Sequence, residues 1–382
     1  MHIMTVFGTR PEALKMAPVV KALQKSTYIR STVCVTAQHR DMLDQVLNLF
    51  TIEPDIDLDL MKASQPLSSL TGNMIRELGE VFRKQRPDWV LVQGDTATTL
   101  GAALAAYYEK INIGHVEAGL RTYNLSHPWP EEMQRRLTAP LTTLHFAPGQ
   151  RARENLLGEG IPDSGIVVTG NTIIDTLLDT VSMLKQDSQL AQRLYQRFDF
   201  LDERPMLLVT SHRRENFDGG LDRLCQALHD LARQQRVQIV FPVHLNPAVR
   251  KIVHSKLHDT DNIHLLEPQD YLSFVYLMDK CRIIITDSGG IQEEAPSLHK
   301  PVLVVRESTE RPEAIEAGTA ELVGTDPERI KSAVISLLSD HDLYKQRTNI
   351  VNPFGDGHAS DRIVDSLLCC SSGSSIATGI LK

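Results

Sequence analysis

Ile283-Ile284-Ile285-Thr286-Asp287-Ser288-Gly289-Gly290-Ile291-Gln292-Glu293-Glu294-Ala295 reads as a strand, a glycine turn and a helix in immediate succession. A short β-branched run that stops at Asp-Ser-Gly-Gly and resumes with a helical composition is the unit from which parallel sheets are built. Backbone N–H groups at such a turn point past the strand end, and the helix dipole favours negative charge there, which suits a phosphate. Glu294 falls about 6 Å along the helix axis, a reach that suits a carboxylate gripping ribose hydroxyls. Ser288-Gly289-Gly290 alone would look the same in a serine-capped helix without a ligand. Glu294, together with a matching cluster in the other half of the chain, tips the reading to a nucleotide.

The same alternation runs outward in both directions. In the first half, strands are expected at 2–7, 31–36, 88–93, 111–116 and 143–147. In the second half they are expected at 166–169, 206–210, 237–242, 262–266, 282–286 and 301–305, each followed by a helical segment. Parallel sheets bind ligands beyond the carboxyl ends of their strands. The residues that follow the strands are of one kind: Gly8-Thr9-Arg10-Pro11-Glu12, Gly94-Asp95-Thr96 and Glu117-Ala118-Gly119 in the first half, then Ser211-His212-Arg213-Arg214-Glu215, His244 and Asp287-Ser288-Gly289-Gly290. This predicts an α/β protein of two Rossmann-like domains facing a central cleft. The turn Pro162-Asp163-Ser164-Gly165 and Gly170-Asn171 place the boundary near 165–170, giving domains 1–168 and 169–358. The serine- and glycine-rich residues 371–382 are expected to be a disordered tail, and Cys369-Cys370 beside it to be incidental.

Composition narrows the partners. At 382 residues and 42% hydrophobic, the chain exceeds what one core usually supports, so two domains are expected. A net charge of −8 gives no basic field for nucleic acid or an anionic membrane. The five cysteines have no metal or disulfide spacing, no apolar run approaches the roughly 20 residues of a membrane helix, and the opening run Ile3–Phe7 is too short for a signal peptide core. A cytoplasmic protein without a bound metal is the expectation.

Pro11 is well placed to start a helix that would hold Arg10 at the strand end, and Lys15 projects from the same helix just over a turn on. A solvated pair of cations is the bland alternative. Gly8-Thr9-Arg10 does not match G-x-G-x-x-G, and no convincing instance occurs elsewhere, which disfavours a tightly bound nicotinamide. Asp95, Glu117 and Glu131 stand where proton-transfer groups are useful, and crowded carboxylates raise one another's pKa. Glu131, in Pro128-Trp129-Pro130-Glu131-Glu132, could instead simply complement a helix dipole. His212, flanked by arginines after a strand, suits a diphosphate or proton transfer; His244 is the other histidine singled out.

With these residues in view, the chain resembles the non-hydrolysing bacterial UDP-N-acetylglucosamine 2-epimerases. The matching segments are Val6-Phe7-Gly8-Thr9-Arg10-Pro11-Glu12-Ala13, Val35-Thr36-Ala37-Gln38-His39-Arg40, Gly114-His115-Val116-Glu117-Ala118-Gly119-Leu120-Arg121, the stretch Thr286–Ser297, Thr309-Glu310-Arg311-Pro312-Glu313 and Asn352-Pro353-Phe354-Gly355-Asp356-Gly357. The resemblance implies the GT-B glycosyltransferase-like fold, a homodimer, no cofactor, and a final helix, about 359–370, crossing back to the first domain. It implies Arg10, Lys15, Asp95, Glu117, Glu131 and His212 as reaction-centre residues, and Gln269, Phe274, Ser288, Gly289, Gly290, Glu294 and Arg311 as the UDP-binding set, with Phe274 over uracil and Glu294 on ribose. Gln38 and His244 fall in segments resembling a second, activating substrate site, where Ser64 replaces the arginine of some relatives. Gln93 departs from the more usual His before Gly94-Asp95, and Gln134 from a more usual Asn.

The C2 proton of an N-acetylhexosamine has no adjacent carbonyl, so direct deprotonation would demand an inaccessible carbanion. Transient oxidation at C3 needs NAD; loss of UDP from C1 instead makes the C2 proton removable. Phosphate grips and acids without a dinucleotide fingerprint favour the second route, through 2-acetamidoglucal, with UDP-N-acetylglucosamine and UDP as ligands and N-acetylmannosamine units supplied to a cell-surface polysaccharide. A hydrolysing epimerase that releases N-acetylmannosamine and UDP, a GT-B glycosyltransferase and a nucleotide-sugar sensor are the alternatives.

Overall fold

A computed structural model describes residues 1–37, 40–60, 65–211, 219–234 and 237–371. Gln38, Ser64, His212 and the tail expected at 371–382, apart from the backbone of Ser371, lie outside the described residues. The chain divides into two compact units, Met1–Thr176 with Phe354–Lys382, and Leu177–Pro353.

The first unit is built from β1 (His2–Phe7), α1 (Arg10–Lys25), β2 (Arg30–Val35), α2 (Arg40–Phe50), β3 (Ile56–Asp57), α3 (Leu67–Gln85), β4 (Trp89–Gln93), α4 (Ala97–Tyr108), β5 (Asn112–Val116), α5 (Glu131–Thr138), β6 (Leu144–Ala147), α6 (Gln150–Gly158), β7 (Ile166–Val168) and the start of α7 (Thr172–Gln186). Its sheet runs in the order β3-β2-β1-β4-β5-β6-β7 with every pair parallel. The strands are buried on both faces, which is why they read as apolar runs instead of alternating ones. Met4, Val6, Val90 and Val92 pack against Met74, Leu78 and Phe82 of α3 and the alanines of α4. Those alanines and Gly101 let α3 approach closely: a Cβ on Gly101 would come within 3.0 Å of Met74. The strand at 166–168, expected with the second half, is instead the edge of this first sheet, with Ile166 opposite His145. The turn at 162–165 is therefore the return of a β6-α6-β7 crossover within one sheet.

The second unit continues with α8 (Ser188–Arg197), β8 (Met206–Thr210), α9 (Gly220–Gln234), β9 (Gln238–Pro242), α10 (Pro247–Leu257), β10 (Ile263–Leu266), α11 (Tyr271–Lys280), β11 (Ile283–Thr286), α12 (Gly289–Glu294), β12 (Val302–Val304), α13 (Pro312–Ala317), β13 (Ala320–Leu322), α14 (Pro327–Ser339) and α15 (His341–Thr348). Its parallel sheet has the order β10-β9-β8-β11-β12-β13. Alternate strand residues Leu207, Val209, Ile239, Phe241, Ile283 and Ile285 share one core with Leu224, Leu228 and Leu231 of α9 and with α14. Each such buried aliphatic side chain contributes about 1.5–3 kcal/mol of burial free energy. The last helix, α16 (Ala359–Ser371), belongs to the first unit: Asp175 accepts from the N–H groups of Ala359 and Ser360, and Arg362 donates to the carbonyl of Thr169.

Both sheets are thus doubly wound, and in each the strand order reverses once, between β1 and β4 and between β8 and β11. Chains leaving adjacent strands at a reversal diverge to opposite faces, which opens a crevice beyond their carboxyl ends. The loops of interest are those after β1, β4, β8 and β11, with β5 next in line.

Candidate active site

In the first unit the loop after β1 is set by a capping box. Thr9 caps α1, and the Glu12 carboxylate turns back to accept from the N–H groups of Gly8 at 3.0 Å and Thr9 at 2.8 Å. Its other oxygen accepts from the Thr96 hydroxyl at 2.5 Å, so one buried carboxylate ties the loop carrying Arg10 to the loop carrying Asp95. Burial pushes the Glu12 carboxyl upward, against the hydrogen bonds that favour its charge. Gly8 is obligatory: a Cβ there would sit 1.9 Å from the Thr36 hydroxyl.

Glu117 directly follows β5 and is held in the left-handed region, φ 62°, sparse for a residue with a side chain. Lys15 reaches both its carboxylate oxygens at 2.6 Å, Asn171 donates to one at 3.1 Å, and Gln93 donates to the other. This ion pair is largely enclosed, with the Glu117 side chain 5% exposed. Gly119, φ 90°, permits the tight exit from this segment, since a Cβ there would meet the Ala152 carbonyl at 2.3 Å.

Asp95 has a cation of its own. Arg135 donates to Asp95 through Nε at 2.8 Å and Nη2 at 2.6 Å, and its Nη1 reaches Glu132 at 3.1 Å. Glu132 is wholly buried and accepts the N–H groups of Thr122 and Tyr123, so it orders the segment leading to α5. Glu131, the first residue of α5, has a different fate: its Oε2 is buried and takes no hydrogen bond among the described residues. The crowding expected of three carboxylates is relieved because Lys15 and Arg135 each neutralise one of them. His115, two residues before Glu117, bonds to the Gly94 carbonyl at 2.7 Å, and burial lowers its pKa to about 4; its strand neighbour His145 is lowered to about 3. Arg10 begins α1 half-buried.

In the second unit Ser288 occupies the N-cap position of α12 without a side-chain capping hydrogen bond, and Asp287 before it is fully buried and accepts from the Ser211 hydroxyl at 2.8 Å. Ser211 thereby fixes the end of β8, one residue before His212. Gly289 faces Arg311: a Cβ there would lie 3.7 Å from the guanidinium, which pairs with Glu293. Glu294 is buried and accepts from the Tyr271 hydroxyl at 2.8 Å. Tyr271 begins α11, so Phe274 follows one turn later on the same face and Gln269 just precedes the helix, accepting from Arg197 at 2.9 Å. Ser288, Gly289, Gly290, Glu294 and Arg311 are therefore assembled around one turn, with α11 beside it. His244 follows β9, exposed, and accepts from the N–H of Asn246 at 3.1 Å.

The family model for UDP-N-acetylglucosamine 2-epimerase matches residues 21–368. The chain belongs to the UDP-N-acetylglucosamine 2-epimerase family. It is 54% identical to the UDP-N-acetylglucosamine 2-epimerase of Yersinia pestis over 96% of this chain and 98% of that one. It is 52% identical to the enzyme of that name from Escherichia coli, with the same coverage. The crystal structure of UDP-GlcNAc 2-epimerase from Neisseria meningitidis bound to UDP-GlcNAc superposes with a TM-score of 0.88, at 51% identity, covering 96% of this chain and all of that one. The fold is therefore the GT-B-like fold of the UDP-N-acetylglucosamine 2-epimerase family.

Glu12, Glu132, Arg135, Asn171 and Tyr271 receive no role from the motifs, and Gln93 appears in them only as a departure from the more usual His. Their partners lie between three and 87 positions away, and the local signals are the Thr9-x-x-Glu12 spacing of the capping box and the i,i+3 spacing of Glu132 and Arg135. Among the described residues no helix is long and apolar enough to cross a membrane, and no three His, Cys, Asp or Glu side chains are grouped to hold a metal ion.

Proposed function

We propose that this protein interconverts UDP-N-acetylglucosamine and UDP-N-acetylmannosamine without hydrolysis, by eliminating UDP to give 2-acetamidoglucal and adding it back after protonation of the opposite face of C2. The supporting observation is the set of three acids in the first unit, Asp95, Glu117 and Glu131, in a chain whose Neisseria relative binds UDP-GlcNAc. Binding a nucleotide does not require those acids; moving a proton to and from carbon does.

In this reading the second unit grips UDP. Arg311 and the Ser288-Gly289-Gly290 turn take the phosphates, Glu294 the ribose and Phe274 the uracil, while Tyr271 holds the Glu294 carboxylate in place. Arg10 and His212 stabilise the charge on departing UDP. The C1–O bond breaks with its electron pair leaving on the β-phosphate oxygen; a carboxylate takes the C2 proton, and the C2–H electrons form the C1–C2 double bond. Glu131 is the carboxylate we assign to C2, because one of its oxygens is buried without a hydrogen bond while Asp95 and Glu117 are engaged by cations. Return of a proton to the other face and re-addition of UDP complete the cycle.

Proton NMR of the purified protein with UDP-N-acetylglucosamine in D₂O, without NAD, tests the proposal. UDP-N-acetylmannosamine carrying deuterium at C2 is the expected product. Free N-acetylmannosamine with UDP, or an unchanged substrate, would overturn it.

A further inference from the structure

We infer that Gln93 is a positioning residue for Glu117, fixing the plane of its carboxylate where Lys15 fixes its charge. This rests on the proposed reaction, with Glu117 as the acid–base group for the face of C2 that Glu131 does not serve, and adds to it the residue on which the aim of Glu117 depends.

Glu117 occupies a left-handed backbone conformation that is unfavourable for a residue with a side chain, and such strain persists only where the surroundings determine it. The backbone on both sides is pinned: the Gly94 N–H donates to the Val116 carbonyl at 3.0 Å, and the Ala118 N–H to the Phe146 carbonyl at 3.1 Å. The side chain is then met from three elements. Lys15 comes from α1 and spans both oxygens, Asn171 comes from the turn before α7 to Oε1, and Gln93 comes from the end of β4 to Oε2. A lysine ammonium is a point charge on a flexible stem, indifferent to the rotation of the carboxylate it faces. An amide N–H is directional.

Gln93 is itself held firmly. It is 3% exposed, lies opposite Val116 in the strand register, and its carbonyl accepts from the Thr99 hydroxyl at 2.6 Å. It therefore presents its amide from a fixed base. Among the described residues, Lys15 from α1 pairs with Glu117, and Asp95 from the loop after β4 and Arg121 from the exit of β5 act, with Glu117, on the neighbouring His115. His115 stays neutral above about 4, and Asp95 is paired with Arg135. Gln93 donates to the charged form of Glu117, and removing it favours the protonated form.

The test is the pH dependence of kcat for UDP-N-acetylglucosamine epimerisation between pH 5 and 9 in the parent, Q93M and Q93H. Methionine keeps the length and removes the donor. Loss of a hydrogen bond to a charged group lowers kcat about ten- to a hundredfold. The acid limb moves up by about one to two pH units, entering the range if the parent's lies below it. KM stays within about twofold. Histidine restores an N–H at this place and returns the limb to the parent's position or below. Should Q93M not fold, Q93N, whose amide is one methylene too short to reach, is expected to show the same displacement. An acid limb unmoved in the donor-free variant overturns the inference even if kcat falls, because loss of packing alone would lower activity without shifting a titration. A parent that does not turn over UDP-N-acetylglucosamine would instead overturn the proposed reaction.

Discussion

Replacing Glu12 separates a structural buried charge from a merely buried acceptor. In Glu12→Ala the N–H groups of Gly8 and Thr9, which bond to the carboxylate at 3.0 and 2.8 Å, are left without a partner; the Thr96 hydroxyl can turn to Thr99, 3.2 Å away. Two stranded buried donors cost about 1–3 kcal/mol each, so the first unit loses about 2–6 kcal/mol. With a urea slope of about 2 kcal/mol per molar, its midpoint falls by about 1–3 M. In Glu12→Gln the amide oxygen serves the two N–H groups and the NH₂ faces the hydroxyls of Thr96 and Thr99, both able to accept, so the geometry survives without a buried charge. The sign of the pH effect follows. Burial raises the folded carboxyl above its ordinary 4.5, so the folded protein binds the proton more tightly than the unfolded chain. Parent stability therefore declines as pH rises from 4.5 through the raised value and is constant above it. Glu12→Gln lacks that decline, so its stability relative to the parent is highest at pH 7 and falls back on acidification. Both tryptophans, Trp89 and Trp129, lie in the first unit, and Trp89 is buried, so urea unfolding followed by tryptophan fluorescence reads this unit directly. A Glu12→Gln midpoint as low as that of Glu12→Ala, or a Gln-to-parent gap that widens in acid, would refute the reasoning.

His115 and His145, depressed to about 4 and about 3 from 6.5, are neutral when folded, so the unfolded chain binds more protons below pH 6.5 and stability falls as pH drops. From pH 7 to 5 the loss is about 2 kcal/mol for each, and a His145→Gln variant should lose correspondingly less in the same fluorescence titration. Lys15→Met leaves Glu117 enclosed without its cation; a cost of about 3–5 kcal/mol is expected, and adding Glu117→Gln should recover much of it in thermal melts. Tyr271→Phe removes the Tyr271 hydrogen bond to Glu294 and should raise KM for UDP-N-acetylglucosamine several-fold with little change in kcat, measured by steady-state kinetics.

The parallel sheets were legible because a strand buried on both faces must be apolar throughout, and Ile283-Ile284-Ile285 can be little else. The rule that ligands meet strand carboxyl ends then directs attention to the loops after β1, β4, β5, β8 and β11. What escaped were elements created by pairing and not by propensity. β3 is two residues long and β13 three; both are edge strands whose few ladder bonds depend on a neighbour already in place. The strand at 166–168 was recognisable, but its sheet was not, since a crossover returning to the first sheet and one starting a second begin with the same polar turn.

The acids show where local sequence stops informing. Glu131 and Glu132 are adjacent, alike, and both in the first turn of α5, so dipole arguments treat them identically. A helix turns about 100° per residue, however, and that rotation sends Glu132 inward to the N–H groups of Thr122 and Tyr123 and to Arg135, while Glu131 keeps an oxygen without a hydrogen bond. The same division holds for the cations. Lys15 and Arg135 lie 102 and 40 positions from the carboxylates they neutralise, and no spacing rule reaches so far. Acids brought together at the ends of neighbouring strands must either share protons or acquire cations, because two unpaired carboxylates in a low-dielectric site repel too strongly to coexist. This fold takes the second course for Asp95 and Glu117, and in the proposed reaction Glu131 is the acid assigned to C2.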